Sequence, residues 1–175
     1  MSIKSQARVK ASAKVTPHMY EDPLRLGATN LIKGCLGDVF GKTVLVVAED
    51  PRLGWYDAVA PAIVKASLME MGATVKTLTV GEPKNHAITA VQEAIDAADE
   101  VIFFARIGDQ GRFKSQYRGP RPVMSYALNA AMLASGYGRL NHRAMSALKN
   151  AIDEITLSAQ HIKITCPLGT HFEGT

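Results

Sequence analysis

Hydrophobic positions fall either into short unbroken runs or into segments where they recur every three or four residues. Thr43-Val44-Leu45-Val46-Val47-Ala48 is such a run, largely β-branched. A continuous run suits a strand buried on both faces, as in a parallel sheet. Gly41 precedes it, and Glu49-Asp50-Pro51-Arg52-Leu53-Gly54 follows it as punctuation. A helical pattern then covers 57–71 and closes on Gly72, with Val59, Ala62, Ile63, Ala66 and Leu68 or Met69 as its buried stripe. Pro61 fits only in the first turn of that helix. A second strand follows at 74–79, which completes a strand–helix–strand unit with a right-handed crossover expected.

The rest of the chain continues the alternation. Residues 23–36 read as a helix, with Leu24, Ala28, Leu31, Ile32 and Cys35 near one face. Residues 87–98 read as another, with Ile88, Val91, Ile95 and Ala98 inward and a frayed last turn, because Asp96 and Asp99 oppose the helix dipole. Val101-Ile102-Phe103-Phe104-Ala105 is the third strand. A helix is predicted over 123–135 with Met124, Leu128, Met132 and Leu133 buried, then a short strand within 136–142. The clearest helical period lies in 143–160, where Met145, Leu148, Ile152 and Ile155 repeat at three, four and three. Residues 161–166 alternate apolar with polar and read as an edge or half-exposed strand.

In open α/β sheets, ligands bind beyond the carboxyl ends of the strands. Two such ends are polar and aromatic here. The first carries Trp55 and Tyr56. The second is the long stretch 106–122, where Arg106, Arg112, Lys114, Arg118 and Arg121 alternate with Phe113 and Tyr117. Connections of this length are usually functional or disordered, and basic residues among aromatics suit an anion or a planar group. The ligand-binding candidates are therefore Trp55, Tyr56, Arg106, Arg112, Lys114, Tyr117, Arg118 and Arg121.

Charge sharpens this picture. The net charge of +4 conceals a mildly acidic body: residues 1–14 carry +4, residues 106–123 carry +4, and the remainder carries −4. Residues 1–16 are small, polar and basic and read as a flexible arm; residues 17–175 read as a single α/β domain. No apolar run approaches the ~18 residues a membrane helix needs, and no secretory h-region follows the basic start. Two cysteines, Cys35 and Cys166, form no disulfide framework and read as reduced, partly buried thiols of a cytoplasmic protein.

Catalytic patterns are absent from the sequence. His18, His86, His142, His161 and His171 stand singly with no HExxH, and no GxSxG, GxxxxGK[ST] or GxGxxG occurs. His171 and Glu173 form an HxE triplet near Cys166, but they fall in the last five residues and read as a fraying end. The expectation is no metal, no cofactor and no catalysis by this chain alone, with nucleotide and nucleic-acid binding disfavoured.

The ordered set Gly27-Ala28, Leu31-Ile32, Gly41-Lys42-Thr43-Val44-Leu45-Val46, Glu70-Met71-Gly72-Ala73-Thr74-Val75, Ala98-Asp99-Glu100-Val101-Ile102-Phe103 and the closing 162–170 with Gly169-Thr170 carries a resemblance. It resembles the N-terminal domain of the aminopeptidase T-like metallopeptidases and of their relative 2,5-dihydroxypyridine 5,6-dioxygenase, over roughly 24–175. The resemblance implies an α/β, three-layer, mostly parallel Rossmann-like sheet flanked by helices, often dimeric. It also implies that the metal ligands belong to a C-terminal half not present in these residues. Two functional expectations follow. One is a free-standing binding domain for a peptide or small anionic ligand, an accessory protein that presents it to a separate enzyme and pairs with a related domain as a homo- or heterodimer. The other is the N-terminal part of a metal-dependent aminopeptidase or ring-cleaving dioxygenase. Non-specific nucleic-acid binding by the basic arm and loop is a weaker third reading, which requires affinity that falls steeply with salt.

Overall fold

The computed structural model describes residues 22–83, 88–109, 120 and 122–175. The arm expected over 1–16, and His86, lie outside them. Four strands form one parallel sheet in the order β2-β1-β3-β4: β1 (Thr43–Glu49), β2 (Thr74–Val80), β3 (Glu100–Phe104) and β4 (Val123–Met124). β1 pairs with β2 from Thr43↔Thr74 to Glu49↔Val80, and with β3 from Val44↔Glu100 to Ala48↔Phe104. The strand order reverses direction around β1, so the crevice between the carboxyl ends of β1 and β3 is the topological switch point.

Strand alternation explains the unbroken runs. Val44, Val46, Ile102 and Phe104 turn to one face and meet Ala28 and Ile32 of α1 (Pro23–Cys35), Val64 and Leu68 of α2 (Val59–Glu70) and Leu133 of α4 (Ala130–Leu133). Leu45, Val47, Val101 and Phe103 turn to the other and meet Val91 and Ile95 of α3 (Ile88–Asp96). The fold is thus α/β in three layers. Asp99 closes the amino end of the sheet rather than opposing a helix dipole: α3 stops at Asp96, Asp99 N–H donates to Thr43 O at 2.9 Å, and Asp99 Oδ2 accepts from Thr43 N–H at 2.8 Å.

Several sequence expectations are corrected. The buried side of α2 is Ala60, Pro61, Val64, Ser67 and Leu68, with Val59, Ala62, Ala66 and Met69 exposed and Ile63 half-buried. The stripe is rotated by one residue because the helix start is pinned: Asp57 Oδ1 accepts from Val59 N–H and Ala60 N–H, and its Oδ2 accepts from Ala130 N–H at 2.8 Å. Residues 123–135 are not one helix. Val123-Met124 pairs with Ile102-Phe103, and Ser125 N–H donates to Phe103 O, so this backbone fills the open edge of β3. The helix begins only after Asn129, whose side chain accepts from Met132 N–H. Leu133 is buried, whereas Met124 and Leu128 are half-buried and Met132 is exposed. Residues 136–140 are turns rather than a strand, and Cys35 and Cys166 are exposed rather than partly buried, because Cys35 is the last residue of α1 and Cys166 opens the hairpin turn.

The final segment differs most. α5 (His142–Ser158) forms as the 3.6 period requires, yet none of its residues is buried, and Leu148, Ile152 and Ile155 are exposed. The chain end does not fray. Strands β5 (Ile162–Thr165) and β6 (His171–Gly174) form an antiparallel hairpin, with Glu173 at 2.9 Å from His161 Nε2. The turn between them needs Gly169, at φ 97, where Cys166 N–H donates to Thr170 O.

Candidate functional site at the carboxyl ends of β1 and β3

The switch-point crevice is built around an ion pair. Glu49 is the last residue of β1 and is 1% exposed. Arg106 follows β3 at the start of a 3₁₀ turn over Arg106–Asp109. Its backbone N–H donates to Glu49 Oε2 at 2.9 Å, its Nε to Oε1 at 2.9 Å, and its Nη2 lies 2.6 Å from Oε1. The carboxylate is thus gripped by main chain and guanidinium together, the paired and hydrogen-bonded state a buried charge requires. Glu49 acts first to raise the Arg106 guanidinium pKa further, and Glu82 adds to it.

Trp55 completes the arrangement. Asp50 Oδ1 accepts from Arg52 N–H, which caps the 3₁₀ turn Pro51–Leu53, and Gly54 at φ 77 ends it. This reversal sets the Trp55 ring under Arg106, with Cζ 4.6 Å from the ring centroid. The contact is cation–π, worth ~0.5–1 kcal/mol at an exposed site. Trp55 remains 53% exposed and the Arg106 side chain 31% exposed. Tyr56 turns inward: it is 4% exposed, and its hydroxyl donates to Ser125 O at 3.1 Å. Burial first, then the negative charges of Asp109 and Glu49, push the Tyr56 phenol up to about 12. The Arg52 guanidinium beside Asp50 holds that carboxyl down at about 2.

Of the predicted ligand-binding residues, the structure brings Trp55, Tyr56 and Arg106 together at the switch point. Arg112, Lys114, Tyr117, Arg118 and Arg121 lie outside the described residues. Sequence reasoning missed Glu49, Asp109 and Tyr126. Tyr126 OH donates to Asp109 Oδ1 at 2.8 Å, which ties the segment after β4 to the turn after β3. For Glu49 the signal was an acid placed directly after six strand residues at a carboxyl end. Among the described residues no three His, Cys, Asp or Glu side chains converge in a way that holds a metal ion, and no helix is long and apolar enough to cross a membrane.

No protein-family model matches this chain, and no curated protein matches it in sequence. Among solved structures it is similar to 2,5-dihydroxypyridine dioxygenase from Pseudomonas putida KT2440, at 13% identity and TM-score 0.49, over 88% of this chain and 48% of that one. It is also similar to the N5,N10-methylenetetrahydrofolate dehydrogenase-cyclohydrolase of Trypanosoma brucei, at 13% identity and TM-score 0.39, over 74% of this chain and 51% of that one. The chain therefore spans about half the length of each. Likenesses at this level say nothing about substrate, metal or mechanism.

Proposed function

We propose that this chain is a binding domain for a peptide or small anionic ligand, held at the switch point by Arg106 and Trp55 with help from the basic residues that follow Arg106 in sequence. One observation carries the reading: a guanidinium fixed from behind by a fully buried carboxylate and from below by an indole, with both side chains of that stacked pair still partly exposed. A pre-positioned arginine loses little freedom when it meets a carboxylate, and Arg and Trp are the side chains that most often anchor recognition. Glu82, whose charge acts on Arg106, favours a peptide over a bare anion, because a peptide offers an ammonium as well as a carboxylate.

Trp55 is the only tryptophan, so its fluorescence reports this site directly. Titration of the intact chain with a short peptide bearing free termini is expected to shift or quench its emission with saturation. The Arg112→Ala/Arg118→Ala double variant is expected to weaken that response. A flat emission with the peptide and with inorganic phosphate overturns the reading.

A second reading, the N-terminal part of a metal-dependent aminopeptidase or ring-cleaving dioxygenase, draws support from a different observation. α5 and the β5–β6 hairpin bury almost none of their apolar side chains, and a lone two-stranded sheet is marginal in water. Both features suit a surface covered by another α/β domain, whether a second copy or a related partner.

A further inference from the structure

We propose that a second site, for a small molecule carrying a carboxylate or phosphate on an apolar body, lies between the C-terminal half of α1 and the start of α5. A cavity of about 660 Å³ opens there, a size in the range of small-molecule sites. Val39 precedes β1 and Met71 precedes β2, and both line the cavity. It therefore lies towards the amino ends of the sheet, away from Trp55 and Arg106, and is independent of the site proposed above.

The charge distribution points to the ligand class. Arg25, Lys42, Arg52, Arg106 and Lys149 each have a carboxylate partner. Six described cations have none, Lys33, Lys65, Lys76, Arg139, Arg143 and Lys163, and three of these, Lys33, Arg139 and Arg143, line this one cavity. Asp38 is the acid in its lining, and its Oδ1 already accepts from Phe40 N–H at 3.1 Å. Three exposed cations around one opening repel one another, and an anion relieves that repulsion. The apolar body of the ligand would rest on Val39, which is buried, and Met71, which is half-buried.

The walls are held in place. Asn30 Nδ2 donates to Gly138 O at 2.9 Å and to Leu140 O at 2.7 Å, and its Oδ1 accepts from His142 N–H at 3.3 Å. One α1 side chain thus fixes the segment that presents Arg139 and Arg143. Gly34 permits the close approach, since a Cβ there would sit 2.9 Å from His142 Cβ. A site on such supports pays little reorganisation on binding.

The test is amide NMR of the intact 175-residue chain, titrated with phenyl phosphate, benzoate and neutral benzyl alcohol. Saturable shifts confined to 26–39 and 138–143 are expected with an anionic probe and not with the alcohol, and the stronger anion identifies the headgroup. Lys33→Glu/Arg143→Glu, both exposed and so compatible with folding, is expected to weaken binding by at least about tenfold while spectral dispersion is kept. Absence of saturable shifts in that region up to about 10 mM overturns the proposal, as does equal binding of the alcohol or unchanged affinity in the variant. The Trp55 indole resonance reads the other site separately, so failure of one is not failure of both.

Discussion

At the scale of single residues, Glu49 and Arg106 are the pair on which the switch point depends. Removing Arg106 leaves a carboxylate enclosed without its counter-ion. Breaking a fully enclosed pair costs about 3–5 kcal/mol; because Arg106 is partly exposed, roughly 2–4 kcal/mol is expected for Arg106→Ala. Urea unfolding followed by circular dichroism measures it. Glu49→Gln/Arg106→Ala together is expected to cost less than the sum of the single changes, since the stranded charge is gone. Tyr56 makes a second prediction at this scale. Its phenol is raised from 10.0 to about 12. Between those values the unfolded chain loses a proton that the folded chain keeps. The contribution of Tyr56 to stability is therefore constant below pH ~10 and falls as pH rises towards ~12. Absorbance titration near the tyrosinate band is expected to show a late-ionising step, and Tyr56→Phe to reduce its amplitude by one tyrosine; an unchanged late step in the variant refutes the assignment.

At the scale of elements, α1 is joined to α4 through glycine. A Cβ on Gly27 would fall inside contact distance of the Leu133 carbonyl oxygen, which is backbone and cannot swing away. Gly27→Ala is expected to cost about 1–3 kcal/mol, as overpacking does, with a lower urea midpoint and an unchanged m-value. The same contact shows why some elements were legible in the sequence and others were not. β1 and β3 were plain because both faces of each are covered, which forces unbroken apolar runs. α1, α2, α3 and α5 followed from their hydrophobic period. The short β4 was hidden in an alanine-rich stretch that favours helix, because the open edge of β3 decides its fate, and no local pattern records that edge. The rotation of α2 was likewise set from a distance, by Asp57 bridging to Ala130. The site divides the same way. Trp55 and Arg106 were found because strand ends can be counted along the chain; their stacking, and the Glu49–Arg106 pair 57 residues apart, exist only once β1 and β3 are neighbours.

At the scale of the whole molecule, apolar surface is unevenly shared. Leu148, Ile152, Ile155 and Leu157 on α5, with Ile164, Leu168 and Phe172 on the hairpin, are all more than half exposed, whereas the sheet and its helices enclose two full cores. Large contiguous apolar exposure marks interaction surfaces. Leu148, Ile152 and Ile155 recur at four and three, so they form a stripe able to seat another helix. Sedimentation equilibrium of the chain is expected to show mass rising with concentration. Leu148→Gln/Ile152→Glu is expected to hold it monomeric with unchanged far-ultraviolet circular dichroism, because neither side chain is buried and neither supports the cores. A variant that unfolds instead shows that the stripe supports its own chain, and a wild type that stays monomeric at all concentrations removes self-association through α5.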